Sequence, residues 1–184
     1  GWKPPEFAHI PLIHGSDGAK LSKRHGAVDV ESYRNEGYLP EALRNHLSRL
    51  GWSHGDDELF TTEQAVSWFS LKHVGKGAAR FDLNKLKNIN SHYIQESSEA
   101  RLLNLMKPGL TKIRGEKLDQ IDLNRLAIAL PNLRPRAKLL QELIEFASFI
   151  VMKRPLVFEE KARTALNSEA KEMLCDLSIE LSDI

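Results

Sequence analysis

Four cationic or potentially cationic side chains lie among glycines in the segment from Gly15 to Gly26, namely Lys20, Lys23, Arg24 and His25. Glycine gives a turn unusual backbone freedom, and ammonium and guanidinium groups pair strongly with phosphate oxygens. The segment lacks the Gly-x-x-x-x-Gly-Lys-Ser/Thr spacing of a Walker loop. Two interpretations follow from the composition: a phosphate-binding loop, or a solvated basic turn between structured segments.

The sequence Lys20-Leu21-Ser22-Lys23-Arg24 resembles the second signature loop of class I aminoacyl-tRNA synthetases. Its flanks, 2–13 and 25–27, are similar to those of bacterial glutamyl-tRNA synthetases. The resemblance continues at 37–43, 50–53, 81–86 and 90–94, and more weakly at 133–140.

The resemblance implies an enzyme that activates glutamate with ATP, Mg²⁺ accompanying the nucleotide, and then transfers the glutamyl group to the 3′ end of tRNA. It places Lys23 and Lys20 in the catalytic site, on the ATP phosphates, with Ser22 supporting the loop. Such a reaction needs positioning and charge stabilisation, so the absence of a nucleophilic triad is no objection.

The same resemblance implies a tRNA-contacting region after the loop. Arg80, Lys85 and Lys87 would contact backbone phosphates, which position RNA without reading its sequence. Arg134 and Arg136 lie where the family begins its anticodon-binding helices, and arginine can stack on an unpaired base or hydrogen-bond to its edge. For each residue the competing interpretation is an ordinary surface salt bridge.

A His-x-Gly-His sequence, the other class I signature, does not occur in the chain. We therefore expect an excised piece of a longer synthetase that is inactive alone. The expected organisation is the end of a catalytic domain with the loop (1–27), a helical stem-contact domain (28–95) and the first part of a helical anticodon-binding domain (96–184).

Composition narrows the function classes. Of 184 residues, 41% are hydrophobic and 28% are charged, which is ordinary for a globular protein. A lone cysteine, Cys175, excludes an internal disulfide and a cysteine-cluster zinc site, and the scattered histidines predict no metal site. No apolar run is long enough for a membrane span, and we expect a cytoplasmic protein. Basic clusters at 72–87 and 134–138 favour a polyphosphate partner.

Hydrophobic periodicity and capping residues predict a mainly α-helical fold. Pro40 should open a helix that Gly51 ends, Thr61 and Gln64 form a capping box, and Asp82 caps the next helix. Pro108-Gly109 and Gly115 should interrupt the second half before its helices begin. The other expected helices are 29–36, 119–130, 135–152, 159–166 and 168–181.

Three other functions remain open at this stage. A tRNA-binding module without catalysis would carry the same basic clusters. A paralogue that glutamylates the queuosine of tRNA is a second alternative, but that family lacks a long helical anticodon-binding region. Glutaminyl-tRNA synthetase is a third, but its anticodon-binding region is a β-barrel and not helical. The expected partners are ATP, glutamate and tRNA(Glu); the sequence leaves open tRNA(Gln), and we expect a monomeric parent protein.

Overall fold

A computed structural model describes residues 1–5, 7, 11–22, 29–156 and 160–182, divided into two compact units, Gly1–Val151 and Met152–Ile184. The predicted mainly α fold is confirmed. The predicted domain boundaries near residues 27 and 95 stay predictions. The strands are β1 (Ile13–His14) and β2 (Ala79–Arg80), and the helices are α1 (Val30–Glu36), α2 (Pro40–Ser48), α3 (Thr62–Trp68), α4 (Leu83–Glu96), α5 (Glu99–Arg114), α6 (Gln120–Leu133), α7 (Leu140–Val151), α8 (Glu160–Ala165) and α9 (Ser168–Ser182).

Three predicted helix starts are confirmed. Pro40 occupies the first turn of α2, where its missing N–H costs no hydrogen bond. Thr61 and Gln64 form the reciprocal capping box of α3. The Asp82 carboxylate accepts from the backbone N–H groups of Asn84 and Lys85 at the start of α4. Side-chain acceptors thus satisfy donors that a helix cannot pair internally.

Two predicted stops are wrong. Pro108 and Gly109 lie inside α5, which continues to Arg114 and ends at Gly115 in the left-handed region. Gly109 lets α5 approach α7, because a Cβ there would lie 2.9 Å from the Ile144 Cδ1 atom. The other error concerns Gly51: α2 ends at Ser48, with Arg49 as its C-cap.

The helix predicted for 135–152 begins later than expected. Residues Arg134–Arg136 form a 3₁₀ turn, and α7 starts at Leu140. Glu142 explains the shift, because its carboxylate accepts from the backbone N–H groups of Lys138 (2.7 Å) and Leu139 (3.2 Å). These two N–H groups belong to the segment just before α7. Their hydrogen bonds to Glu142 keep that segment outside the helix and cap the N-terminus of α7.

Two hydrophobic clusters form the core of the first unit. One lies around α1, α2 and α4, with Tyr33, Ala42, Phe81 and Leu86 buried in it. The other joins α5, α6 and α7 and contains the buried residues Leu102, Met106, Leu110, Leu126, Leu130 and Leu143. Tyr93 of α4 packs against both clusters.

Helix α3 contributes no buried side chain to the core. Val66 and Phe69 are 75% and 53% exposed, and α3 has no buried residue. Trp52 is buried, and its ring packs edge-on against Phe60. Helix α3 is held by its capping box and a few aromatic contacts, and leaves an apolar groove beside α2.

Asn90 ties three segments of the first unit together. Its side chain is completely buried. Its Oδ1 accepts from the Leu39 N–H at 2.7 Å, while Nδ2 donates to the carbonyl oxygens of Lys138 (2.6 Å) and Gly37 (3.4 Å). Asn90 therefore joins α4 to the segments before α2 and before α7. We call Gly37, Leu39, Asn90 and Lys138 the Asn90 junction.

The second unit consists of α8 and α9, close to the predicted 159–166 and 168–181. Asn167 accepts from the Ala170 N–H at 2.9 Å, which caps the start of α9. Several apolar side chains of α9 are exposed, including Met173, Leu177 and Ile179. Within the described ranges, no helix has the length and apolarity that crossing a membrane requires.

Candidate phosphate and nucleic-acid interface

A tight hairpin carries the first half of the basic loop. The Ile13 carbonyl accepts from the Leu21 N–H at 2.9 Å, and the Gly15 N–H donates to the Ala19 carbonyl at 2.8 Å. Gly18 closes the turn with φ +78°, a conformation that favours glycine. This geometry places Lys20 opposite His14 in an antiparallel bridge.

Only part of the predicted phosphate-binding loop lies among the described residues. Lys20 is exposed beside the hairpin, and Ser22 is half-buried. Lys23, the predicted catalytic cation, lies outside the described residues, as do Arg24 and His25. The roles of Lys23, Lys20 and Ser22 at ATP therefore stay predictions.

Arg80 is brought to the loop although sixty residues of chain separate it from Lys20. Strand β2 pairs in parallel with β1, so that Arg80 lies opposite His14. Its guanidinium approaches the turn: a Cβ at Gly18 would lie 3.9 Å from Arg80 Nη2. Sequence spacing gave no reason to join Arg80 to the loop.

Lys85 and Lys87 lie on α4. The Lys85 ammonium pairs with the Glu58 carboxylate, and Arg49 lies 3.6 Å from the same carboxylate. The hydrogen bond from Lys85 is the main reason why the pKa of Glu58 is lowered. Lys85 thus forms the surface salt bridge that was the alternative to a phosphate contact. Lys87, in contrast, has no ion pair within the described part of the chain.

Arg134 and Arg136 lie in the 3₁₀ turn between α6 and α7. Arg134 donates from Nη1 to the Ser97 carbonyl at 3.4 Å, at the junction of α4 and α5. Arg136 is exposed, and its guanidinium carbon lies 5.5 Å from the Phe146 ring centroid. Neither is part of a salt bridge with a described carboxylate, so both charges remain unneutralised there.

An apolar groove of about 690 Å³ lies between α2 and α3, away from the loop. Leu47, Trp52 and Phe69 line it, and the same residues border a second cavity of about 320 Å³. Trp68 stacks on His54 with ring centroids 4.1 Å apart. Trp52 is therefore packed in the core, and Trp68 has an intramolecular ring partner.

Burial changes the pKa of one histidine, His46. His46 is 3% exposed, and its ring meets Phe81 edge-on at 4.9 Å between centroids. Burial lowers the pKa of His46, because desolvation disfavours the charged imidazolium more than nearby Asp82 favours it. In the described parts of the chain, no three His, Cys, Asp or Glu side chains gather as a metal-ligand set.

Comparisons with known proteins agree with the loop motif. Residues 1–88 match the family described as class I tRNA synthetases (E and Q), catalytic domain. Glutamate–tRNA ligase 2 of Parvibaculum lavamentivorans is 53% identical over 96% of this chain, and that of Zymomonas mobilis is 52% identical over 100% of it. The chain is similar to bacterial proteins named glutamate–tRNA ligase over nearly its whole length.

The chain spans less than two-fifths of the length of these relatives, 36% of the first and 38% of the second. A crystal structure of a glutamate tRNA ligase from Elizabethkingia meningosepticum, in complex with its amino acid, superposes over the whole chain. Its TM-score is 0.78 at 29% sequence identity, and the match covers 39% of that protein. The fold and the family resemblance read from the sequence are thereby confirmed.

Proposed function

We propose that this chain is part of a glutamate–tRNA ligase, which activates glutamate with ATP and transfers it to the 3′ end of tRNA. The observation that carries the proposal is identity above one half, over nearly the whole chain, to proteins named glutamate–tRNA ligase. The expected partners are ATP, glutamate and tRNA(Glu), with tRNA(Gln) as a further candidate. A monomeric parent and a cytoplasmic location remain predictions.

In this proposal the basic loop serves the first chemical step. The glutamate carboxylate attacks the α-phosphate of ATP, glutamyl-adenylate forms and pyrophosphate leaves. Lys23 offsets the charge that develops on the pyrophosphate, Lys20 adds a second cation, and Ser22 holds the loop. The exposed Lys20, set on a closed hairpin, supports this role. ATP would bring Mg²⁺ with its phosphates; the described residues of the chain supply no ligand set for it.

The tRNA-contacting role divides between two groups of cations. Arg80 and Lys87, which have no carboxylate partner among the described residues, suit backbone phosphates. Lys85 would have to exchange Glu58 for phosphate, so its contribution should be the weaker one. Arg134 and Arg136 lie together on one turn, as a pair that reads unpaired bases would.

A chimera tests the proposal. The matching segment of the Zymomonas mobilis ligase is replaced by residues 1–184, and glutamate-dependent exchange of pyrophosphate into ATP is measured. We expect the chimera to catalyse exchange and to charge tRNA(Glu), and the isolated chain to do neither. Lys23→Ala in the chimera should slow adenylate formation by ~10²–10³, as loss of one preorganised charge contact does. Lys117→Ala, at an exposed lysine far from the loop, is the control.

The outcomes separate the candidates. A folded chimera without exchange activity would contradict the ligase assignment. If its isolated insert still bound tRNA, the non-catalytic tRNA-binding module would replace it. Glutamate-dependent exchange by the chain alone would contradict the expected inactivity, and an unchanged rate in Lys23→Ala would remove Lys23 from the catalytic site.

A further inference from the structure

His14 lies at the centre of a three-residue row that no motif in the sequence indicates. It pairs with Lys20 on one side, in an antiparallel bridge, and with Arg80 on the other, in the parallel β1–β2 pair. Residues that pair across strands project to the same face, with Cβ atoms about 4.5–5.5 Å apart. We call Lys20, His14 and Arg80 the basic row.

The basic row faces away from the core. Ile13 and Leu21, the strand neighbours of His14 and Lys20, pack against the buried cluster around Phe81. Successive side chains of a strand point to opposite faces, so His14 and Lys20 project outward. Arg80 is likewise exposed between half-buried Ala79 and buried Phe81.

The three side chains of the row have no hydrogen-bond or ion-pair partner among the residues that the structure describes. Other cations of the same unit do have partners: Arg101 forms a bidentate pair with Glu41 at 2.9 and 3.0 Å. Arg114 donates to Asp122 at 2.7 Å. Asp17, the acidic residue of the hairpin turn, uses its Oδ1 to accept from the Ala19 N–H. The row thus concentrates donors without a described counter-charge.

We propose that Lys20, His14 and Arg80 together bind one phosphate group, with His14 as an additional and so far unassigned ligand. Guanidinium offers a planar fork of donors, ammonium a mobile point charge, and the imidazole an N–H between them. The proposal rests on the proposed function, which supplies two sources of the same chemistry: the phosphates of a nucleoside triphosphate and the backbone of an RNA.

The test measures binding of inorganic tripolyphosphate to the 184-residue chain by isothermal titration at low salt. Lys20→Gln, His14→Leu and Arg80→Gln should each weaken binding by about 5-fold, the effect of one partly exposed charge contact. Lys117→Gln and Arg125→Gln, which remove exposed cations elsewhere in the unit, are matched controls. They should bind as the unsubstituted chain does.

A second titration with a short RNA duplex, over several salt concentrations, separates the two sources. A row that binds RNA should lose about 0.9 of salt slope for each phosphate contact removed. Loss in the tripolyphosphate arm alone identifies the nucleotide as the source, and loss in the RNA arm alone identifies the RNA backbone. Either result supports the site.

The proposal is overturned if the chain binds neither probe, or if the row variants bind as Lys117→Gln and Arg125→Gln do. It is also overturned if only Lys20→Gln matters, because the row would then be a single lysine. These results leave the activity of the unsubstituted chimera untouched, so failure of the row and failure of the ligase assignment are distinguishable.

Discussion

The Asn90 junction and the basic row are both polar sites formed by residues far apart in sequence. They differ in whether their polar groups are paired within the protein. At the junction the donors and acceptors of Asn90 are paired inside the protein, and the side chain is fully buried. In the row, the Lys20 and Arg80 side chains are exposed and His14 is half-buried, and none of the three has a described hydrogen-bond or ion-pair partner. Buried polar groups cost free energy unless paired, whereas exposed charges are solvated until a ligand arrives.

The difference indicates which site stabilises the fold and which is available for binding. The junction fixes the segment before α2 against the segment before α7, so its loss should destabilise the unit. The row adds little to packing, so its loss should affect binding and leave stability nearly unchanged. Four predictions test this contrast.

The largest expected effect is that of Asn90→Ala. It leaves the Leu39 N–H and the Lys138 carbonyl without their side-chain partner in a buried site, at about 1–3 kcal/mol for each group. We expect the free energy of unfolding to fall by roughly 4 kcal/mol in urea denaturation followed by circular dichroism. Asn84→Ala, in the same helix but exposed, is the control and should change little. Equal effects of the two variants would contradict the assigned role of the junction.

Gly37→Ala should destabilise the junction slightly less. Gly37 has φ +95°, and an added Cβ would lie 2.6 Å from the Gln141 nitrogen and 2.9 Å from the Leu140 nitrogen. The left-handed strain and the backbone contact together should cost about 3 kcal/mol. Gly77→Ala is the control, because no atom lies within 4 Å of a Cβ there. A midpoint of urea denaturation that matches the control would show that α7 can move away without cost.

A smaller effect is expected from His46, which is buried in the last turn of α2 against the Phe81 ring. Its pKa is lowered in the folded state by burial, so the unfolded chain binds the proton more tightly. Its contribution to stability is complete above the ordinary value of 6.5 and is lost as pH falls below 6.5 towards the folded pKa.

The measurement is urea denaturation at a series of pH values from 7 to 5. His46→Gln should flatten this decline, whereas His73→Gln, at an exposed histidine, should leave it unchanged. Lys85 and Arg49 also disfavour the imidazolium and Asp82 favours it, so all three are kept. A decline that is just as steep in His46→Gln would assign it to other groups.

The smallest effect on stability is expected in the row itself. Arg80→Gln and Lys20→Gln should change the free energy of unfolding by no more than about 0.5 kcal/mol, as surface substitutions do. The same urea series measures it. A loss comparable with that of Asn90→Ala would mean that the row supports the fold, and the contrast between the two sites would be wrong.

Local signals in the sequence were sufficient for much of the fold. The Thr61–Gln64 capping box and the Asp82 cap follow from side-chain chemistry within one helical turn. The errors arose where tertiary contacts override local preference. Pro108 and Gly109 lie inside α5, and Gly109 lets the helix approach Ile144 of α7 closely.

The candidate site divides in the same way. The loop motif and its family could be recognised from residue order alone, because Lys20, Ser22 and Lys23 are neighbours in the chain. The partnership of Lys85 with Glu58, and the position of Arg134 beside Ser97, depend on how helices pack. Linear spacing carries no information on such contacts.

The sequence by itself determined the mainly helical fold, its principal caps and the likeness to glutamyl-tRNA synthetases, because these depend on residues close together in the chain. Only the tertiary structure decided that Arg80 lies beside His14 and Lys20, and that Asn90 joins segments near residues 38 and 138. The physical reason is that strand register and buried hydrogen bonds are set by the packing of the whole unit, which brings together groups that no local pattern connects.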